Sequence, residues 1–372
     1  MNQPRKILVL VSSLGGGGAE RVATHLCNAW SAAGNRVSLM ATFPDDTSHG
    51  YGLSSKVQLI TAANTPPGQP KTLWRQLQRL RRLRGLIKSQ QADYVVAFLT
   101  NVNVAGIIAA MGLGVRVIVC ERIYPPRFPI GRALATLRRL TYPRAWRVVV
   151  QTTATEQWFA QALPRATTTV IPNPLVLPLE DAPPALAITD VIPTDAKLML
   201  AAGRLDRQKG FADLLQAFAQ LRGDTAPWHL VVLGEGPERE ALAEQIQALG
   251  LEARAHLPGW AGNMADWYSR ADVFVLSSHF EGFPNTLLEA MGHGVACVAY
   301  DCPAGPADLI EDGHSGRLVA PNAGVAGLAE AMQQLIADAP YRETLAANAA
   351  TAAERFAEHR VVALWSELLD AA

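Results

Sequence analysis

Short apolar runs recur along the first half of the chain, at residues 7–11, 36–41, 94–99, 115–120, 147–151 and 168–171. Each is too short for an ordinary helix and is rich in Val, Ile and Leu, the pattern of strands buried on both faces of a parallel sheet. Longer stretches with apolar residues at helical spacing separate them, so 1–172 reads as a doubly wound, Rossmann-like α/β domain. Six prolines from Pro172 to Pro193 then interrupt any regular element, and 173–196 reads as a linker. A second series of runs follows at 198–202, 230–233, 254–257, 273–276 and 297–300, each leading into a loop or a helical pattern. This predicts a second Rossmann-like domain over 197–355, facing the first across a cleft. From Ala323 the pattern is helical to the end, and the spacing within 356–372 predicts a helix that packs back on the first domain.

The run at 273–276 leads through Ser277 and Ser278 into Glu281-Gly282-Phe283-Pro284-Asn285-Thr286-Leu287-Leu288-Glu289. A strand, a loop and a helix in that order put the helix N-terminus at the carboxyl edge of a parallel sheet, where free N–H groups hold anions. Glu281 falls in the loop and can accept hydrogen bonds from a sugar. Glu289, eight residues later, falls one turn into the helix and can bridge a vicinal diol such as a ribose. The amides near Asn285 and Thr286 can hold a phosphate. Together these are the contacts a nucleotide sugar needs.

Gly203-Arg204-Leu205-Asp206-Arg207-Gln208-Lys209-Gly210 follows the first strand of the second domain. Arg204 can fork onto two phosphate oxygens while Lys209 acts as a point charge, together offsetting the charge of a departing diphosphate. A loop lysine taken alone is more simply a solvated charge. Gly234-Glu235-Gly236 ends the next strand and would border a nucleotide base, although a tight strand-to-helix turn accounts for both glycines without a ligand. In the first domain, Gly15-Gly16-Gly17-Gly18-Ala19-Glu20-Arg21 joins strand to helix without the dinucleotide-binding spacing. Gly16, Gly17 and Gly18 still let a phosphate or sugar approach the backbone, with a flexible turn as the alternative. Glu121-Arg122-Ile123-Tyr124-Pro125-Pro126-Arg127 follows the run at 115–120 and is expected at the cleft edge. Glu121, Arg122 and Arg127 are candidate acceptor contacts, or else a proline-stiffened loop with an internal ion pair.

Charge changes the picture. Residues 1–172 carry 21 Lys and Arg against 6 Asp and Glu, a net of +15, and residues 173–372 carry 12 against 27, a net of −15. A basic half suits an anionic membrane or a polyphosphate, or simply attraction between the two halves. The densest stretch is 74–88, where Arg75, Arg79, Arg81, Arg82, Arg84 and Lys88 accompany no acid. Leu77, Leu80, Leu83 and Ile87 share a face there, so an interfacial helix on anionic lipid is expected. Residues 132–142 repeat the character. No apolar run reaches the length of a membrane span and the first is too short for a signal peptide, so a cytoplasmic protein, peripheral on the inner face of the cell membrane, is expected. Cys27, Cys120, Cys297 and Cys302 form no C-x-x-C pair and read as buried reduced thiols, so no metal site and no cofactor are expected.

Taken in order, these motifs resemble family 4 of the glycosyltransferases, retaining enzymes of the GT-B fold. The resemblance rests on Gly18-Ala19-Glu20-Arg21, on Gly203-Arg204 with Lys209, on Gly234-Glu235-Gly236, and on the Glu281 and Glu289 pair. It implies that Arg204 and Lys209 bind the donor diphosphate, that Glu281 contacts the donor sugar and Glu289 the ribose, and that the Asn285 and Thr286 amides hold a phosphate. The glycine-rich start, the basic helix and the Glu121-Arg122 loop look like the bacterial branch that extends undecaprenyl-diphosphate-linked saccharides, including amylovoran-type exopolysaccharide and α-1,4-N-acetylgalactosaminyl transferases. Many members have a His beside the acid where this chain has Arg122, so a histidine contact to the donor sugar does not carry over. The expected reaction moves a hexose or N-acetylhexosamine from a UDP-sugar to a lipid-linked saccharide, without a nucleic-acid partner. The absence of any D-x-D motif implies metal independence. A GT-B-fold UDP-sugar epimerase and a non-catalytic polyanion-binding protein are the alternatives.

Overall fold

Among the described residues every strand pairing in the computed structural model is parallel, and the strands form two sheets. The structure describes residues 4–14, 18–42, 52–61, 73–223, 225 and 227–371. Two units emerge: Met1–Pro172 together with Val362–Ala372, and Asn173–Val361.

The first unit runs β1 (Lys6–Val11), α1 (Gly18–Ala32), β2 (Arg36–Ala41), β3 (Gln58–Thr61), α2 (Leu73–Gln90), β4 (Tyr94–Phe98), α3 (Thr100–Ala110) and β5 (Arg116–Cys120). It continues through α4 (Arg132–Thr141), β6 (Arg147–Val150), α5 (Thr153–Ala162) and β7 (Thr168–Val170). The sheet order β3-β2-β1-β4-β5-β6-β7 reverses direction between β1 and β4. β3 is absent from the expected strands. It is a short edge strand whose Leu59 is 44% exposed, so it lacks the continuous apolar run that marks a central parallel strand. On one face of the sheet, Leu8 and Leu10 of β1 pack with Leu83 and Ile87 of α2 and Val102 and Ile107 of α3.

The second unit runs β8 (Lys197–Ala202), α6 (Phe211–Ala219), β9 (Trp228–Leu233), α7 (Arg239–Ala248), β10 (Ala255–Gly259), α8 (Met264–Arg270) and β11 (Val273–Leu276). Then come α9 (Asn285–Gly292), β12 (Ala296–Tyr300), α10 (Pro306–Leu309), β13 (Arg317–Val319), α11 (Gly324–Ala337), α12 (Ala339–Ala353) and α13 (Glu358–Asp370). The order β10-β9-β8-β11-β12-β13 reverses between β8 and β11. Alternation along β8 sorts its side chains into two layers, Met199 and Ala201 on one side and Leu198, Leu200 and Ala202 on the other. The segment expected as a linker belongs to this unit. Leu175, Ile192 and Ala196 are buried in its core, so the prolines shape an irregular but packed strap.

The boundary at Val361 and Val362 falls within α13. In the first unit, Trp365 meets Trp30 edge to face at 5.5 Å, and Tyr94 Oη donates to the Leu369 carbonyl at 2.7 Å. Asp370 pairs with Arg5.

Candidate functional site

The order reversal between β8 and β11 places the loops after these two strands next to one another, at the carboxyl edge where open α/β sheets bind ligands. The first loop carries Gly203 through Gly210 and the second carries Ser277 through Pro284. Hydrogen bonds clamp them: His279 N–H donates to the Gln208 carbonyl at 2.8 Å, and the Gln208 side-chain Nε2 donates to the Phe280 carbonyl at 2.9 Å. Ser277 Oγ donates to the Lys209 carbonyl at 2.8 Å. Gly210 has φ +62, and a Cβ there would lie 2.1 Å from the Ser277 carbonyl oxygen, so only glycine permits this approach.

Within the clamp Lys209 Nζ donates to Glu281 Oε1 at 2.7 Å, with the two side chains 19% and 6% exposed. Ser278 Oγ donates to the same oxygen, also at 2.7 Å. The two strongest sequence candidates are thus one ion pair, 72 residues apart in the chain. Gly203 makes room for it, since a Cβ there would sit 3.2 Å from Lys209 Cε. Arg204 stands outside, 72% exposed, and its Nε donates to Asp206 Oδ2 at 2.6 Å. Burial pushes the nearby Cys302 thiol up to about 12, which keeps it protonated and inert at neutral pH.

Gly234 and Gly236 serve the same loop system. Gly234 has φ +137 and a Cβ there would fall 2.0 Å from the Gly203 carbonyl oxygen; one at Gly236 would fall 2.4 Å from that of Leu205. Leu205 N–H donates to the Glu235 carbonyl at 2.9 Å, closing the turn.

In α9, Glu289 is 5% exposed and accepts from Tyr268 Oη at 3.0 Å. The Asn285 N–H, expected to hold a phosphate, donates instead to the Phe283 carbonyl at 3.0 Å, and Asn285 Oδ1 accepts from Asn173 Nδ2 at 2.8 Å. Among the described residues no bond ties the Thr286 amide to the preceding loop. Sequence reading missed Ser278, Tyr268 and Asn173. Ser278, three residues before Glu281 in the same loop, was findable, but Tyr268 comes from α8 and Asn173 from the strap, which only folding brings close.

In the first unit the candidate acceptor residues separate. Gly16 and Gly17 lie outside the described residues, and Gly18 opens α1. Glu121 is 2% exposed; it accepts from Tyr142 and from Thr100 Oγ1 at 3.0 Å, while Asn103 Nδ2 donates to Tyr142 Oη at 3.0 Å. Burial pushes its carboxyl above the usual range against the pull of these donors and of Arg138. The Arg122 guanidinium lies 4.6 Å from the Phe98 ring centroid, and burial lowers its proton affinity. Arg127 alone of the three is exposed. Glu121 and Arg122 therefore act as interior anchors of this loop in the structure rather than as presented contacts.

The basic helix is also corrected in part. Leu83 and Ile87 are 6% and 2% exposed and belong to the core, so the apolar face of α2 is not open for lipid. Leu77 at 43% and Trp74 at 61% remain exposed near its start. Arg79, Arg81, Arg82 and Lys88 are exposed, Arg75 is half-buried, and Arg84 caps α3 by donating to the Ala109 and Met111 carbonyls at 3.0 and 2.6 Å. Among the described residues, no helix is long and apolar enough to cross a membrane and no group of three or more His, Cys, Asp or Glu could hold a metal.

Two family signatures match the chain, "Glycosyl transferase 4-like domain" over residues 17–174 and "Glycosyl transferases group 1" over residues 189–352. The chain belongs to the family 4 glycosyltransferases. Amylovoran biosynthesis glycosyltransferase AmsD of Erwinia amylovora is 24% identical over 98% of this chain and 99% of its own length. A Campylobacter jejuni α-1,4-N-acetyl-D-galactosaminyltransferase, named for a diphospho-undecaprenol-linked saccharide, is 25% identical over 98% of each chain. An exopolysaccharide phosphotransferase of Streptomyces coelicolor is 35% identical over 59% of this chain, which spans only 23% of that protein. HepE of Anabaena, solved with UDP and glucose, superposes with a TM-score of 0.81 over 99% of this chain and 100% of its own at 23% identity, which establishes the GT-B fold. In this glycosyltransferase Glu281 is held by Ser278 of its own loop and Glu289 by Tyr268 of α8.

Proposed function

We propose that this glycosyltransferase moves a hexose or N-acetylhexosamine from a UDP-sugar to a lipid-diphosphate-linked saccharide in bacterial glycan or exopolysaccharide synthesis, with retention at the anomeric carbon. The observation that carries the reading is the Lys209 and Glu281 pair at the strand-order reversal of the second unit. The names of the Erwinia and Campylobacter relatives support the acceptor class, and the UDP and glucose of the HepE structure support the donor.

In this reading Lys209 and Arg204 turn from Glu281 and Asp206 to the donor diphosphate, and the Thr286 amide at the start of α9 adds a donor to a phosphate oxygen. Glu289, oriented by Tyr268, takes the ribose hydroxyls. Glu281, oriented by Ser278, takes a donor-sugar hydroxyl. The acceptor hydroxyl oxygen bonds to the anomeric carbon on the face from which UDP leaves; the bond from that carbon to the β-phosphate oxygen breaks. The acceptor proton passes to a phosphate oxygen of the departing UDP. Two cations and an amide supply the charge stabilisation, so the reaction proceeds without a divalent metal. Arg127 and the Gly18 end of α1 contribute to acceptor binding. The cationic first unit holds the enzyme at the inner face of the cell membrane, where a lipid-linked acceptor resides.

The test is a panel of UDP-sugars with a polyprenyl-diphosphate saccharide acceptor, with and without EDTA. UDP release that requires acceptor, yields an α-linked product from an α-linked donor and survives EDTA is expected. Turnover of the UDP-sugar into its epimer without acceptor would give the chain to the epimerases. Activity lost in EDTA and restored by Mg²⁺ would remove the metal-independent mechanism.

A further inference from the structure

α4 is a ten-residue helix that turns Arg138 and Thr141 inward. On the other side Ala133, Thr136, Leu137 and Leu140 are all exposed, at the spacing of one continuous stripe. Leu137 is 41% exposed and Leu140 58%, and Phe128, in the turn that precedes the helix, is 49% exposed. A single exposed leucine needs no explanation, but two on successive turns of so short a helix form an unpartnered apolar stripe. Its surroundings are cationic. Arg127, Arg132, Arg139 and Arg144 are exposed, and from Arg122 to Arg147 the chain holds seven arginines and no Asp or Glu.

That charge decides what covers the stripe. A second copy would set arginines against arginines across a two-fold contact. A purely polyanionic partner would leave the leucines wet. We infer that α4 and the turn carrying Phe128 insert shallowly into an anionic bilayer, leucines at the acyl boundary and arginines at the headgroups. Arginine stems cover apolar surface while their charged ends reach outward, which suits that depth. α2 and α4 both pack against α3, so the exposed cations of α2 extend the same layer of helices. α2 adds charge there and α4 adds insertion, because Leu83 and Ile87 of α2 are held in the core.

The inference deepens the proposed lipid-linked acceptor by naming the membrane contact, and its test needs no acceptor. The full-length protein is co-sedimented with phosphatidylcholine vesicles and with vesicles containing about one-third phosphatidylglycerol, at low and high salt. Leu137→Ser with Leu140→Ser should weaken binding to the anionic vesicles at least about tenfold at both salt levels. The unfolding curve should stay that of the parent, since both side chains are exposed. Arg132→Glu with Arg139→Glu should weaken binding mainly at low salt. Parent-like sedimentation of the leucine double variant overturns the inference. So does a dimer that dissociates in that variant by light scattering, which would assign the stripe to a second copy. Transfer to a water-soluble short-chain acceptor should be equal in parent and leucine variant; failure of both proteins there counts against the reaction and leaves the vesicle result standing.

Discussion

Lys209 and Glu281 neutralise one another in a nearly dry setting, so removal of either leaves a partner charge without its counter-ion. Lys209→Ala should lower turnover by about 10²–10³-fold, as loss of a transition-state charge contact does. Glu281→Gln retains the bond from Ser278 and should reduce kcat while changing UDP affinity by only a few-fold. Calorimetric UDP titration beside steady-state rates separates these; a variant that binds UDP poorly yet turns over normally would reverse the assigned roles. His229 and His256 offer a different residue-scale prediction. Their rings stack at 5.3 Å and Nδ1 of one faces Nε2 of the other at 3.0 Å. Burial lowers the proton affinity of both, with Arg254 acting on His229 in the same direction against Asp195, and His229 acting on His256. The folded state therefore binds fewer protons than the unfolded chain just below the ordinary imidazole value of 6.5, and stability falls as pH drops through that value. Melting curves from pH 8 to about pH 5 should show the loss, and His256→Gln should flatten it. Equal slopes in parent and variant would exclude the pair as its source.

Glycines divide by what surrounds them within their elements. At Gly234 the backbone is left-handed and the loop after β8 occupies the space a Cβ would need, so Gly234→Ala should cost at least about 2 kcal/mol and disable the loop holding Lys209. Gly85 sits mid-way along α2, and among the described residues nothing lies within 4 Å of where a Cβ would stand. Gly85→Ala should therefore raise stability by about 0.5–1 kcal/mol without touching activity. Chemical denaturation of both variants checks the contrast, and a neutral Gly234→Ala would remove the close-approach argument. The Glu121 cluster shows how an element boundary is built. Leu99, between β4 and α3, takes φ +75, and Thr100 and Asn103 of α3 both join the network around Glu121 and Tyr142. The run of charged and proline residues at 121–127 suggested a presented loop, yet the partners of Glu121 lie on α3 and at Tyr142, positions that no local pattern connects.

For the whole molecule, the last residues matter to the first unit rather than to the one that precedes them in the chain. Trp365 is 1% exposed against Trp30. Trp365→Ala should destabilise the first unit by about 3–5 kcal/mol, the usual cost of emptying a buried tryptophan site. Hydrogen exchange should show the loss of protection within Met1–Pro172 while Asn173–Val361 keeps its own. Uniform loss across both units would mean that they unfold as one.

The amino-acid sequence by itself determined the α/β class, the two Rossmann-like halves, the central strands and the family motifs, because buried parallel strands and strand-to-helix loops write short-range signals. Two edge strands, β3 and β13, escaped because a solvent-facing edge does not require an uninterrupted apolar run. Tertiary structure alone decided which candidates meet and which turn inward. It joined Lys209 to Glu281 through the strand-order reversal, brought Tyr268 of α8 to Glu289, and drew the proline-rich segment into a core. It also closed the apolar face of α2 and opened that of α4, since two helices of like composition differ only in which side their neighbours cover. Periodicity states that a helix has an apolar side; packing decides whether protein or another surface covers it.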